Sequence, residues 1–485
     1  MGRRERSSDR RRSWRLRYRA WRVAAARRRR DPALRRVRVP APLIGYRVAS
    51  GRGASEQPNA GPAGEAELSA RFWGSLLVTA VGAGLFGIVM TAVLVTVQHL
   101  AYGYATGTFT EAVVGVSDAR RVLAMAVAAL VGGVGWYLLR RVTPGQHADA
   151  DNAVWTGTRL DWPRSLGTSV LSEVVIGLGA SLGREAAPKL MGAVSGELAA
   201  QWGGLSAAQR RLLVACGAGA GLSVVYNVPI AGALFTAEVL LGSPSLLVVL
   251  PALVCSGLAT LVGWLWFPAQ PVYSGVPDYP LGPQLVVFAI LVGPMLGAVA
   301  VVFVRLIGTA SFHRARGRWV LVAPWGALGV LALCGLWLPQ LFGNGKGIAS
   351  DAFLGQSGVL VLLALAVLKP LVTALCLGSG MSGGLLTPTL SIGAALGGAL
   401  GLVFSAVWPG APAGAYALIG AAALLGAAMQ APLTGLVIVV ELIGGGLALS
   451  VPMVIATATA TLLARRIDGY SIYSVRLPAH EESSV

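Results

Sequence analysis

The sequence predicts an all-α polytopic membrane protein built from two repeats of broken helices. Three observations carry this: composition, a regular alternation of apolar runs with short polar breaks, and an internal repeat. Of 485 residues, 55% are hydrophobic and 12% charged, with mean hydropathy +0.68. Soluble domains carry about a quarter charged residues, so this chain belongs in lipid. A disordered chain, a secreted disulfide scaffold and an ordinary soluble enzyme are thereby excluded. The 64 glycines suit helices that approach closely in a bilayer. Cys216, Cys255, Cys334 and Cys376 lie far apart in apolar stretches. They read as inert thiols, and no metal site or other cofactor is expected.

The basic charge is concentrated at one end. The formal net charge is +18, and positions 1–55 hold nineteen arginines against Glu5, Asp9 and Asp31. The high isoelectric point therefore describes a tail, residues 1–69, and not the body, residues 70–476. The favoured reading of the tail is a solvated, disordered extension. Its arginines could also meet anionic lipid, nucleic acid being the less favoured partner. Placed before the first span, such a cluster favours the cytoplasmic side.

Apolar runs follow at 73–102, 121–140, 166–182, 210–226, 230–242, 244–267, 283–309, 319–342, 357–379, 388–408, 413–428, 431–444 and 448–465. Several exceed the ~20 residues that cross a bilayer. The runs at 230–242 and 431–444 are too short to cross upright and are broken by Pro or Gly. Broken helices persist in membranes where their freed backbone groups face protein or a wet cavity. In matching positions of two halves they point to a transport site.

Two halves exist. Tyr226-Asn227-Val228-Pro229-Ile230-Ala231-Gly232 through Glu238 returns as Met429-Gln430-Ala431-Pro432-Leu433-Thr434-Gly435 through Glu441. Upstream, Gly183 to Pro188 and Gly383 to Pro388 share a G-x-x-x-x-P frame at nearly the same offset. The repeats divide the body at roughly 70–270 and 271–476; their relative direction is left open by sequence. Each copy sets a Gly/Pro break before a helix start, where unpaired N–H groups carry about half an elementary charge. Two such starts aimed at one point hold an anion loosely, as a pathway requires. No catalytic constellation accompanies them, so no enzyme is expected.

Glu185 stands between Arg184 and Lys189 in an otherwise apolar stretch. A carboxylate at bilayer depth costs about 2.5–3.5 kcal/mol on insertion scales, so it should face a cavity or a partner. A salt bridge to Arg184 or Lys189 is the structural alternative. The functional reading is a gate that competes with anions for the helix starts and moves aside or takes up a proton. Glu238 and Glu441, equivalent in both repeats, read as structural. Lys369 and Arg305 read as snorkelling or loop-bonding groups.

These segments resemble the CLC family of chloride channels and chloride/proton exchangers over roughly residues 70–476. Gly183-Arg184-Glu185-Ala186-Ala187 resembles the family's GREGP, whose Glu is the external gate. Gly383-Gly384-Leu385-Leu386-Thr387-Pro388 resembles GGIFAP, whose amides cradle the central anion, here those of Leu385 and Leu386. The segments opening at Tyr226 and Met429 resemble FNAPLAGxLFxxE and RAPLTGxxxxxE. Ser471-Ile472-Tyr473-Ser474 resembles the segment whose Tyr hydroxyl meets the anion, so Tyr473 is carried over. The resemblance implies an all-helical CLC-like inverted repeat of broken and tilted helices, forming a homodimer with one pore per subunit.

Three departures qualify it. Where the family has GSGIP, the chain reads Thr143-Pro144-Gly145-Gln146-His147, which puts Gly145 at the anion-coordinating serine. Backbone N–H groups would act there, and His147 reads as a solvated loop residue. Many exchangers carry a second Glu directly after the one matching Glu238; here Val239 stands there, as in the channel branch. Nine residues, 477–485, follow Arg476, so the CBS regulatory domains of many relatives are not expected. The expectation is transport of chloride or similar small anions across a bacterial inner membrane, gated by Glu185 and channel-like or weakly proton-coupled. Leu385, Leu386, Tyr473, Gly145, Arg184 and Ala186 would line the anion site, shaped by Gly183, Gly383, Gly384 and Pro388. A chloride/proton antiporter and a fluoride-selective relative are the alternatives.

Overall fold

The computed structural model describes residues 68–476. The tail expected at 1–69 falls outside the described residues except for its last two, and the 477–485 tail lies outside entirely. Among the described residues the regular structure is helical, apart from one isolated bridge. The first repeat contains α1 Ala70–Tyr102, α2 Phe109–Gly115, α3 Asp118–Val142, α4 Ala150–Thr156, α5 Trp162–Gly177, α6 Ala186–Trp202, α7 Ala207–Tyr226, α8 Pro229–Leu234 and α9 Leu246–Gly263. The second contains α10 Pro283–Phe312, α11 Ala323–Trp337, α12 Lys346–Phe353, α13 Val359–Gly378, α14 Leu386–Val407, α15 Ala413–Met429, α16 Pro432–Ile443 and α17 Ser450–Ile467. A π-helical turn, Phe235–Leu240, prolongs α8. Eight described helical segments are long and apolar enough to span a membrane, α1, α3, α9, α10, α13 and α14 among them.

Local sequence explains where the helices stop. Ser69 caps α1 through the Phe72 amide, and Gly103 ends it in the left-handed region at φ 68°. Ser206 and Gln209 form a reciprocal capping box at the start of α7. That helix ends at Asn227, φ 54°, and α15 ends at Gln430, φ 56°; these are the only non-glycine residues with positive φ among those described. Asn tolerates that geometry better than most side chains. Pro229 and Pro432 then open α8 and α16, where proline's missing N–H costs nothing. The repeat seen in sequence is thus a repeat of backbone conformation.

Each half packs its central helix pair through bare backbone. Gly192 of α6 lies against the Gly217 carbonyl of α7, and Gly393 of α14 against Gly420 of α15. A Cβ at any of these would collide with main chain, so small residues are required by the approach itself.

The two halves also terminate one another. The Glu238 carboxylate accepts from the Thr434 amide at 2.8 Å and the Thr434 hydroxyl at 2.7 Å. Reciprocally, Glu441 accepts from the Ile230 and Ala231 amides at 3.0 and 2.7 Å. Each carboxylate caps the first turn of the other repeat's short helix, the structural role expected of both. The exchange relates the halves by a local two-fold.

Several expectations shift. The run at 166–182 is a helix only to Gly177, the rest forming the first break. Helix α6, absent from the apolar runs because Lys189 and Glu197 interrupt it, is largely buried. Lys369 takes the loop-bonding half of its reading and not the snorkelling one: fully buried, it donates to the Leu341 and Gly343 carbonyls at 3.1 and 2.7 Å. Arg305 pairs with Asp468 at 2.7 Å. Cys216, Cys255 and Cys376 are buried and Cys334 is half-buried, all as free thiols.

Candidate functional site: two paired breaks around a buried carboxylate

The break before α6 and the break before α14 lie side by side. Gly183 donates to the Gly384 carbonyl at 2.8 Å and Gly384 to the Gly183 carbonyl at 2.7 Å, a one-rung antiparallel bridge. A helix start normally recruits a Ser, Thr, Asp or Asn side chain to its free amides. Neither break has one. Leu385 occupies the cap position of α14 without a side-chain bond, and Glu185 occupies that of α6 without bonding its own helix.

The Glu185 carboxylate crosses to the other repeat. One oxygen accepts the Leu386 amide at 2.7 Å; the other accepts the Tyr226 hydroxyl at 2.9 Å and lies 3.4 Å from the Thr387 hydroxyl. Tyr226 and Thr387 are also bonded to each other. The group is 3% exposed. Negative charge at the first turn of α14 is where the helix dipole favours an anion. Gly384 makes room: a Cβ there would overlap a Glu185 carboxylate oxygen.

The other expected residues fall into two groups. Gly183, Gly384, Leu385 and Leu386 gather around Glu185, with Gly383 packed on Leu182 and Pro388 in the first turn of α14. Arg184 makes no salt bridge to Glu185; it donates to the Val225 carbonyl at 3.2 Å and lies over the Tyr226 ring at 5.3 Å. Ala186 begins α6. Tyr473 is buried, its ring edge-on to Phe235 at 5.6 Å. Gly145 lies in an exposed turn at φ 74°, with nothing within 4 Å of a Cβ built on it. His147 is exposed, its backbone amide bonded to Asp161, as a solvated loop histidine would be.

Lys189 is not the partner of Glu185 either. Its ammonium donates to both Asp151 oxygens at 2.8 Å and lies 4.8 Å from the centre of the Tyr473 ring. A cation in the first turn of a helix opposes the dipole, so the buried Asp151 charge compensates it. Sequence reasoning missed Asp151, Tyr226 and Thr387. Tyr226 did leave a signal, since it stands where the resembled motif has Phe and so adds a hydroxyl. Nearby, Arg140 donates to the Gly380 carbonyl at 2.5 Å at the mouth of the second break. In the loop after α10, Arg314 has its proton affinity lowered by burial and by the charges of Arg316 and Arg476. That mutual repulsion marks a concentration of positive charge.

Spans of this length, with two helix breaks bridged to each other and the first-turn amide of one helix donating to a buried carboxylate from the other break, define an integral membrane protein of the ion-pathway class. The chain belongs to the CLC family: the family model described as voltage gated chloride channel matches residues 127–465. It is 33% identical over 379 residues to the H(+)/Cl(−) exchange transporter ClcA of Cronobacter sakazakii, covering 73% of this chain and 79% of that one. It is 30% identical over 391 residues to the voltage-gated ClC-type chloride channel ClcB of Citrobacter koseri, covering 77% and 91%. Among solved structures, a slow cyanobacterial Cl−/H+ antiporter superposes with TM-score 0.72 at 21% identity, over 84% of this chain and 97% of that one. A CLC-type fluoride/proton antiporter gives 0.66 at 20% identity, with the same coverage of both chains. The fold is the all-helical inverted repeat of that family.

Proposed function

We propose that the protein carries chloride and similar small monovalent anions across the membrane, with Glu185 as the gate. The observation that carries this is the bond from the Leu386 amide to the Glu185 carboxylate. A side-chain anion occupies a helix start whose natural ligand is an anion in transit. For chloride to bind Leu386 the carboxylate must leave, and a protonated Glu185 competes poorly for a dipole that favours negative charge. In this reading Leu385 and Tyr473 complete the central site, together with backbone around Gly145 of the α3–α4 loop. The arginines around Gly380 raise local anion concentration at one mouth.

Passive conduction is favoured over tight proton exchange, because Val239 stands where many exchangers place a second carboxylate. The protein works as a homodimer in a bacterial inner membrane, its basic tail on the cytoplasmic side. Reconstituted protein should release chloride from liposomes faster at acid than at neutral pH. A halide series separates chloride from fluoride selectivity. Absence of chloride or other halide flux in well-folded protein refutes the proposal.

A further inference from the structure

Lys189 is a buried cation in the first turn of α6, the helix that starts at the break carrying Glu185, and it is 8% exposed. Its ammonium lies 4.8 Å from the centre of the Tyr473 ring and 5.6 Å from that of Phe235. An apolar side chain would fill the space beside these rings without desolvating a charge. Packing therefore gives no reason for a lysine here. The helix dipole gives none either, since it opposes a cation at this end.

Asp151 of α4, buried as well, is the counter-ion, but it does not use up the donors. An ammonium has three N–H groups, and Asp151 accepts two bonds, one on each oxygen at 2.8 Å. No other acceptor meets Lys189 among the described residues. The hydroxyl of Tyr473, whose ring the ammonium faces, likewise has no hydrogen-bond partner among them. Arg184, the other cation beside the first break, is turned away to the Val225 carbonyl. One cationic N–H and one phenolic O–H are thus left unspent in a buried region at the start of α6.

We propose that Lys189 is a specificity-determining residue of the pathway: its ammonium, held by Asp151, presents a fixed positive charge to an anion at Tyr473. The inference rests on Tyr473 belonging to the anion site, as in the proposed function, and deepens that reading. Gly145, six positions before Asp151, brings no hydroxyl to the site, and the ammonium supplies a donor in its place. Asp151 offsets part of the charge, so the anion is held without being trapped. A compact ammonium favours small, charge-dense anions over large ones. Chloride should therefore be preferred to iodide.

The test combines chloride titration calorimetry, chloride flux from proteoliposomes and unfolding temperature across chloride concentrations. Lys189→Met together with Asp151→Leu removes both charges and keeps the packing. This double variant should bind chloride about tenfold or more weakly, the scale of one hydrogen bond to a charged group. Its half-saturating chloride concentration should rise without a fall in maximal flux, and its preference for chloride over iodide should narrow. Asp151→Asn removes the counter-charge alone. It should bind chloride more tightly than wild type, and its unfolding temperature should climb more steeply with chloride, because a bound anion stabilises the folded state. A merely structural pair would give neither change. Absence of both chloride binding and halide flux in wild-type protein sinks the transport reading itself. Wild-type chloride affinity in the double variant overturns this inference alone, as does an Asp151→Asn unfolding temperature no more chloride-dependent than that of wild type. If neither variant folds even in high chloride, the pair is a packing element and the inference fails.

Discussion

The Glu185 carboxylate sits 2.7 Å from the amide nitrogen of Leu386, 201 positions further along the chain. A residue at the start of one repeat's broken helix thus neutralises the start of the other's. Replacing it by glutamine removes the charge and keeps the shape. Glu185→Gln should abolish the acid stimulation of chloride flux and leave a pathway open at neutral pH. Flux measured between pH 5 and pH 8 checks this; pH dependence retained in the variant would remove Glu185 from the gate.

The position of that carboxylate on the Leu386 amide depends on Tyr226 and Gly384. Tyr226→Phe deletes a hydroxyl that donates to an ionised group, an interaction worth about 1.5–3 kcal/mol. The variant should conduct more at neutral pH, with acid stimulation reduced by about tenfold or more. Gly384→Ala puts a methyl group where the Glu185 oxygen rests, which expels the carboxylate by steric means. Both variants should resemble Glu185→Gln in a flux assay, although the ionisable residue is intact in each.

Lys189 and Asp151 form a buried pair whose members are separately dispensable only at high cost. Lys189→Met leaves an unpaired buried carboxylate and should destabilise the protein by about 3–5 kcal/mol. Adding Asp151→Leu should recover most of that loss. Thermal unfolding in detergent measures both. If the double variant is no more stable than Lys189→Met, the two side chains do not act as a pair.

Glu238 and Glu441 make equivalent bonds across the repeat boundary, so their losses should match. Glu238→Ala and Glu441→Ala each remove a helix cap, at a cost of about 0.5–2 kcal/mol. Both should lower the unfolding temperature by similar amounts without changing the pH dependence of flux. A large functional change in one and not the other would point to a role beyond capping.

Much of the molecule was legible in the chain. The spans were set by apolar length, because no lipid-facing helix can hide a polar backbone or tolerate many charges. The helix breaks were set by Gly and Pro at nearly repeated offsets, and the buried carboxylate between them by a single acid in an apolar segment. Helix α6 escaped notice because Lys189 and Glu197 interrupt its hydropathy, yet both are paired inside the fold. A window of hydropathy counts a charge without seeing its partner.

By itself, then, the sequence determined the membrane class, the two-fold repetition, the helix punctuation and the acid in the breaks, since these are local properties of neighbouring residues. Only the tertiary structure decided who meets whom. It placed Glu185 on Leu386 and Tyr226, Lys189 on Asp151, Glu238 on Thr434 and Glu441 on Ala231. Every one of those pairings joins residues at least 38 positions apart, and their energies arise from desolvation and hydrogen-bond geometry that the packed helices alone create.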